Sequence, residues 1–207
     1  MGTAFWADVI CITIAFGILI MRICIKITEE QKRIFDAEAV LDIGKRQIQA
    51  NAYGLKRMNT GMMAILTAGE GRDYVGKVAA LTTVRTFTKL YNQYDSTQSP
   101  DNFFEKAFKL ANTNVLNTLE TGKAYAGCLI FNRNILKYGI VGHMNVYVFR
   151  GKELILLSKG QIMEELIKEK VNKGLLSKEA ALRISDINRA YNFVGRDDYM
   201  SPLVSSR

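Results

Sequence analysis

Short runs of alternating apolar and polar residues, followed by longer runs with a helical period, set out the first half of the chain. Strands are predicted at residues 37–43, 52–55 and 61–67. The period then changes to that of a helix over residues 75–94. A second predicted helix opens at Pro100 and ends before Gly122.

The second half of the chain alternates strands with tight turns and then returns to helix. Four strands with hairpin spacing are predicted at residues 124–132, 135–141, 145–150 and 153–157. Helices follow at 162–171 and 177–184, and Ser177 is suited to cap the second. This order predicts an α+β fold, a layered β-sandwich flanked by helices, and not a doubly wound parallel sheet.

The N-terminus has a different pattern. Residues 9–21 are apolar, glycine or threonine without interruption, and residues 4–21 approach the roughly 20 residues that a transmembrane helix needs. Basic residues follow this stretch, whereas Asp8 is the one charged side chain before it. The positive-inside rule therefore places the N-terminus outside and the remaining chain in the cytoplasm. A buried core helix is the alternative.

These patterns predict three parts. A single-pass anchor in the cell membrane covers residues 1–27, a stalk covers 28–35, and one globular domain covers 36–207. Three side chains are predicted to lie at the membrane interface, namely Trp6, Arg22 and Lys26.

The 207 residues carry a net charge of +8, with basic residues concentrated just after the apolar N-terminus. This position favours attraction to anionic lipid, with a solvated surface as the alternative. Nucleic acid is not expected as a partner, because no nucleic-acid-binding motif accompanies the charge. The three cysteines, Cys11, Cys24 and Cys128, lack the spacing of a zinc site or a disulfide framework.

Three segments, read in order, resemble the type 2C metal-dependent Ser/Thr phosphatases, especially their short bacterial members. They are Asp42–Gly54 (DIGKRQIQANAYG), Ala64–Ala80 with its AGEG loop, and Ala126–Lys159 with its KYGIVGHMNVYVFRG strand pair. Residues 175–195 continue the resemblance, which covers nearly all of residues 36–195. It implies the same sandwich fold and, in an active member, a phosphoprotein phosphatase that uses Mn²⁺ or Mg²⁺.

The residues that would carry this chemistry are changed. In the family, aspartates hold two divalent ions that activate a water molecule. The resemblance places the first metal acid on Asn51, the Asp-Gly pair on Ala68 and Gly69, and the Gly-Asp-Ser-Arg turn on the segment that contains His143. Neutral side chains cannot balance two dications. Because the chain stops at Arg207, we also expect an exposed sheet edge or face.

Other charged residues offer weaker candidates. The resemblance implies that Lys45 and Arg46 could retain an anion site, because the family holds phosphate with a basic residue here. A single weak ion site could use acids of the loop or the C-terminus, namely Glu70, Asp73, Asp197 and Asp198. His143 is the one histidine of the chain and has no obvious catalytic partner.

The sequence thus predicts a catalytically inactive phosphatase-like domain without a cofactor. We expect it to serve as an interaction or assembly module, with membrane lipid and other protein subunits, including further copies of itself, as partners. The first alternative is a metal-dependent Ser/Thr phosphatase with unusual ligands for Mn²⁺ or Mg²⁺. The second is a structural membrane subunit whose likeness to phosphatases is accidental.

Overall fold

A computed structural model of the chain describes residues 14, 16–23, 36–58, 61–71, 74–95, 97–132 and 135–205. The chain divides into two units, Met1–Glu38 and Ala39–Arg207. In the first unit, residues 14 and 16–23, which include Arg22, are helical and exposed. No helix within the described residues is both long and apolar enough to cross a membrane. Trp6, Lys26 and the predicted stalk at 28–35 lie outside the described residues.

The second unit is built on an antiparallel sheet of five strands in the order β1-β2-β3-β4-β7. These strands are β1 (Asn51–Met58), β2 (Gly61–Glu70), β3 (Lys123–Asn132), β4 (Ile135–Val141) and β7 (Leu203–Val204). Two further strands, β5 (Val146–Arg150) and β6 (Glu153–Ser158), form a separate hairpin. Among the described residues, this hairpin pairs with no other strand.

Four helices complete the described part of this unit: α1 (Val75–Tyr91), α2 (Pro100–Thr118), α3 (Met163–Asn172) and α4 (Lys178–Ala181). Ser99 caps α2, because its hydroxyl accepts the backbone N–H of Asp101, and Pro100 occupies the first helical turn. Helices α1 and α2 separate β2 from β3 along the chain. Both helices pack on the same face of the sheet.

The core lies between the sheet and α1 and α2. Alternate strand residues such as Ile65 and Cys128, which are cross-strand partners, point toward the helices and are fully buried. Phe87 and Phe108 meet edge to face, with ring centroids 4.7 Å apart. Gly139 admits the ring of Phe104, because a Cβ there would lie 2.8 Å from the ring's Cγ. This face of the sheet is closed.

The opposite face of the five-stranded sheet, which we call the open face, is covered only in part. Tyr53 and Leu66 oppose each other on it, and they are 46% and 42% exposed. The strand register also places Leu55 and Tyr138 on this face. The predicted layered sandwich is therefore present only in part, since the second layer of strands is the two-stranded hairpin.

Three sequence predictions of secondary structure need correction. The predicted strand at 37–43 is wrong, because these residues pair with no described strand and Val40 is 91% exposed. The helix predicted over 75–94 ends earlier, at Tyr91. Tyr94 does not continue the helix, because it stacks on Tyr91 and donates its hydroxyl to the Gln98 carbonyl in the following loop. The predicted helix at 177–184 keeps a single turn, α4, followed by turn residues.

Candidate functional site

A cavity of about 690 Å³ lies where β1 begins and β2 ends. It is lined by all but one of the residues to which the sequence assigns the altered metal site, and by both predicted anion-binding residues. Those residues are Asn51, Ala68, Gly69, Lys45 and Arg46. The structure therefore brings together side chains from two segments of the resemblance that lie about twenty residues apart in the sequence.

The strand register explains how these residues meet. Asn51 is the cross-strand partner of Ala68, and Ala68 is the partner of Tyr125, so the three side chains form one row on the open face. The N–H of Gly69 donates to the Ala50 carbonyl at 3.0 Å, which ties the end of β2 to the segment before β1.

Two glycines let α1 approach the end of β2. A Cβ on Gly76, in the first turn of α1, would lie 3.0 Å from the carbonyl carbon of Gly69. A Cβ on Gly69 would collide with the Gly76 carbonyl group. The backbone around the cavity is thus fixed by close contact between a helix and a strand, and larger residues at either position would open it.

Three of the four described charged residues that line the cavity, Asp42, Arg46 and Glu70, already form hydrogen bonds within the protein. The Arg46 Nη1 donates to the Gly69 carbonyl oxygen at 3.1 Å, and the Asp42 Oδ1 accepts the N–H of Gly44 at 2.7 Å. The Tyr125 hydroxyl donates to the Glu70 carboxylate. Burial and this bond to Glu70 raise the pKa of Tyr125 well above its usual value, so the phenol remains a protonated donor at neutral pH.

His143 does not line this cavity. It is exposed in the turn that follows β4. The preceding residue, Gly142, has a positive φ of 81° and lies so close to the Tyr125 ring that a Cβ would collide with it. The turn assigned from the resemblance therefore contacts the wall of the cavity, while its histidine stays in solvent. Asp73 lies outside the described residues.

The C-terminal acids lie elsewhere. Asp197 and Asp198 line a different cavity of about 950 Å³, and Asp198 pairs there with Arg196. Arg196 and Lys123 also lie over the Phe193 ring, 5.7 and 5.0 Å from its centroid. The structure thus does not bring these two acids together with Glu70.

The described residues around the first cavity do not fit a pair of divalent ions. No cluster of three or more His, Cys, Asp or Glu residues suited to a metal occurs among the described residues. Two divalent ions carry four positive charges, and the only carboxylates among the described residues that line the cavity are those of Asp42 and Glu70. Both carboxylates already accept hydrogen bonds. Lys45 and Arg46 add further positive charge. The four ionised side chains therefore sum to no net charge, which leaves the charge of two dications uncompensated.

Several solved protein structures are similar in fold to this chain. The Ser/Thr phosphatase of S. agalactiae matches with a TM-score of 0.66 at 17% identity, over 80% of this chain and 71% of that one. The Ser/Thr phosphatase Stp1 from Staphylococcus aureus matches at 0.62 and 16%, over 84% and 73%. The catalytic domain of the phosphatase PstP, solved with two manganese ions, matches at 0.52 and 18%, over 75% and 70%.

The described domain therefore has the fold of the type 2C Ser/Thr phosphatases, and the fold resemblance predicted from the sequence is confirmed. At these identities the likeness shows the fold alone. No protein-family profile and no curated protein matches the sequence.

One contact of the cavity was not predicted from the sequence. Tyr125 closes one wall and holds Glu70, yet its strand begins more than fifty residues after Glu70. The alternation of apolar residues in β3 predicted the strand and which side chains share a face. It did not predict the register with β2, because two helices intervene and no tight turn links the strands.

Proposed function

We propose that this chain is a catalytically inactive domain of the phosphatase 2C fold that binds other proteins at a membrane. In this proposal an N-terminal single-pass helix anchors the chain, the N-terminus lies outside the cell, and the domain faces the cytoplasm. The apolar stretch at residues 9–21 and the basic residues after it support this placement. The domain acts as an interaction or assembly module of a membrane complex.

The observation that carries the proposal is the chemistry of the cavity at the ends of β1 and β2. Asn51 offers one neutral oxygen and the Ala68 side chain offers none. The Gly69 carbonyl and the Glu70 carboxylate are both occupied, by Arg46 and by Tyr125. A two-ion centre of the kind that activates water needs several free anionic oxygens converging on one point. The described residues of this cavity do not provide them.

Phosphatase assays of the purified full chain test the proposed inactivity. With Mn²⁺ or Mg²⁺ and either p-nitrophenyl phosphate or a phosphothreonine peptide, we expect no metal-dependent turnover. A metal-dependent rate that Glu70→Gln abolishes would instead establish a phosphatase with unusual ligands. Glu179→Gln is the matched control, because Glu179 is exposed on α4, away from the cavity.

The membrane placement is tested separately by protease protection of intact cells and inverted vesicles. A tag placed after the C-terminus should be cleaved in inverted vesicles and protected in intact cells. The opposite pattern would place the domain outside, and recovery of the chain in the soluble fraction would remove the anchor from the proposal.

A further inference from the structure

The hairpin of β5 and β6 is apolar on both of its faces. Tyr147 opposes Leu156 and Phe149 opposes Leu154 on one face, and Val148 opposes Ile155 on the other. Phe149 is 72% exposed and Leu154 is 66% exposed. Strands with two apolar faces are typical of sheets buried on both sides. An isolated two-stranded hairpin of this composition is marginal in water and needs a further surface to pack against.

The hairpin covers only part of the open face. Its strand β6 reaches that face at Tyr138, whose hydroxyl donates to the Leu157 carbonyl at 3.3 Å. Met144, in the turn before β5, lies over Gly127, because a Cβ on Gly127 would be 3.6 Å from its Cε. Both contacts involve β3 and β4. The half of the open face on β1 and β2, with Tyr53, Leu55 and Leu66, remains exposed.

The size of the exposed apolar surface matches that of a stable interface. One face of the hairpin contributes four side chains, Tyr147, Phe149, Leu154 and Leu156, and the β1–β2 half contributes Tyr53, Leu55 and Leu66. At roughly 200 Å² for a fully exposed large apolar residue, their exposed fractions amount to about 700 Å². Each partner of a standard interface buries about 600–1,000 Å².

We infer that this surface joins two copies of the chain, with the hairpin of each copy packed on the β1–β2 half of the other copy's open face. Each copy has both parts, so a two-fold axis makes both contacts at once, as in most homodimers. This inference names the partner of the interaction module and rests on the proposed function for its setting at a membrane. It does not depend on whether the domain is an active phosphatase.

Charge gives the contact a recognisable dependence on salt. Each copy carries a net charge of +8, so two copies repel each other at long range. The side chains named for the contact are uncharged, and the charged cross-strand pair of the hairpin, Arg150 with Glu153, is of opposite sign. Added salt screens the repulsion and strengthens burial, so the two copies should associate more tightly at 0.5 M than at 0.05 M NaCl. Binding of an acidic partner to this basic chain would weaken instead.

Co-purification of two differently tagged full chains, solubilised from membranes in mild detergent, tests the contact. The wild-type chains should co-purify, and light scattering should give the mass of two copies. Leu154→Lys and Leu66→Lys should each weaken co-purification by at least about tenfold, because each places a charge in an apolar contact. Leu182→Lys is the matched control and should change nothing, since Leu182 is 88% exposed next to α4.

A charge pair tests the reciprocal geometry. A copy with Leu154→Glu should co-purify with a copy carrying Leu66→Lys better than either variant does with itself. All variants should melt within a few degrees of wild type, and if Leu66→Lys fails to fold, Leu154→Lys still carries the test. The inference is overturned if wild type is a single copy, or if Leu154→Lys leaves the pair intact.

The same measurements separate this inference from the proposed function. A single-copy wild type that also lacks phosphatase turnover overturns the dimer and leaves the interaction module with a different partner. A dimer with metal-dependent turnover supports the contact and overturns the proposed inactivity.

Discussion

Two acidic substitutions should give the cavity at the ends of β1 and β2 a dependence on divalent ions. Asn51 and Ala68 are direct cross-strand partners and line the same cavity, so Asn51→Asp with Ala68→Asp places two carboxylates opposite each other. With Asp42 and Glu70, four acids would then surround the space that the resemblance assigns to the metals. The double variant should therefore bind Mn²⁺ or Mg²⁺ where the wild type does not.

The register sets the size of the effect. Cβ atoms of directly opposed antiparallel residues lie about 5 Å apart. Two unit charges at that distance repel by about 1 kcal/mol in a water-like medium and by up to about 3 kcal/mol in a partly buried one. In EDTA the double variant should lose this much free energy of unfolding, which lowers Tm by several degrees in a domain of this size, at roughly 2–4 °C per kcal/mol. Mn²⁺ at a hundred times its Kd restores about 2.7 kcal/mol.

Thermal unfolding in EDTA and in Mn²⁺ measures both effects. Asn51→Asp and Ala68→Asp alone are the matched controls, because each adds one carboxylate and should respond weakly. KCl at the same ionic strength separates metal binding from simple screening. If wild type gains as much Tm from Mn²⁺ as the double variant, the residues present already hold a dication, and the proposed inactivity loses its physical basis.

Three further predictions concern the core and the wall of the cavity. Phe87→Ala should lower the free energy of unfolding, measured in urea, by about 3–5 kcal/mol, because Phe87 is fully buried against α2. Phe149→Ala on the exposed hairpin should change the monomer's free energy of unfolding by less than about 1 kcal/mol. Equal losses for the two variants would contradict this packing. Burial raises the pKa of the Tyr91 phenol to about 12, so this proton leaves the unfolded chain at a lower pH than the folded one. The free energy of unfolding should therefore fall as pH rises from 10 to 12. A Tyr91→Phe variant that shows the same decline would refute Tyr91 as its cause. Tyr125→Phe should cost about 1–2 kcal/mol in urea at pH 7, because the Glu70 carboxylate loses its donor, and an unchanged midpoint would show that water replaces the phenol.

Local signals predicted most of the elements of this fold. Pro100 marked the start of α2, and the observed helix begins at Pro100. Strand β3 alternates in sequence and in burial, because one of its faces packs on the helices. The predicted strand at 37–43 has the same alternation, but no neighbouring strand pairs with it. Its polar end instead forms a turn at Gly44, which has a φ of 59°.

Long-range features were harder to predict. Strand β7 has two residues, Leu203 and Val204, which is too short for any periodicity to appear. It exists because it pairs with Ile140 and Gly139 of β4, more than sixty residues earlier in the chain. The two-stranded size of the second sheet depends in the same way on which strands find neighbours. The resemblance nevertheless singled out Asn51, Ala68 and Gly69, and the strand register brings these three residues to one cavity.

The candidate site and the proposed contact between copies share one face of the sheet. The row with Asn51 and Ala68 is followed along the same strands by the row with Tyr53 and Leu66. A partner that covers the second row must partly desolvate the first, and desolvating unpaired carboxylates costs several kcal/mol per charge. The neutral side chains at positions 51 and 68 remove this cost. Neutral side chains at positions 51 and 68 and use of the face for association are therefore physically compatible.

This proximity yields a final prediction about the Asn51→Asp, Ala68→Asp variant. In EDTA its two unpaired carboxylates should oppose closure of the contact, so differently tagged copies should co-purify less well than wild-type copies do. Mn²⁺ neutralises the carboxylates and should recover much of the association, whereas wild-type co-purification should be the same in EDTA and Mn²⁺. If the variant pairs as well as wild type in EDTA, the two rows do not belong to one surface, and the contact between copies must lie further along the strands.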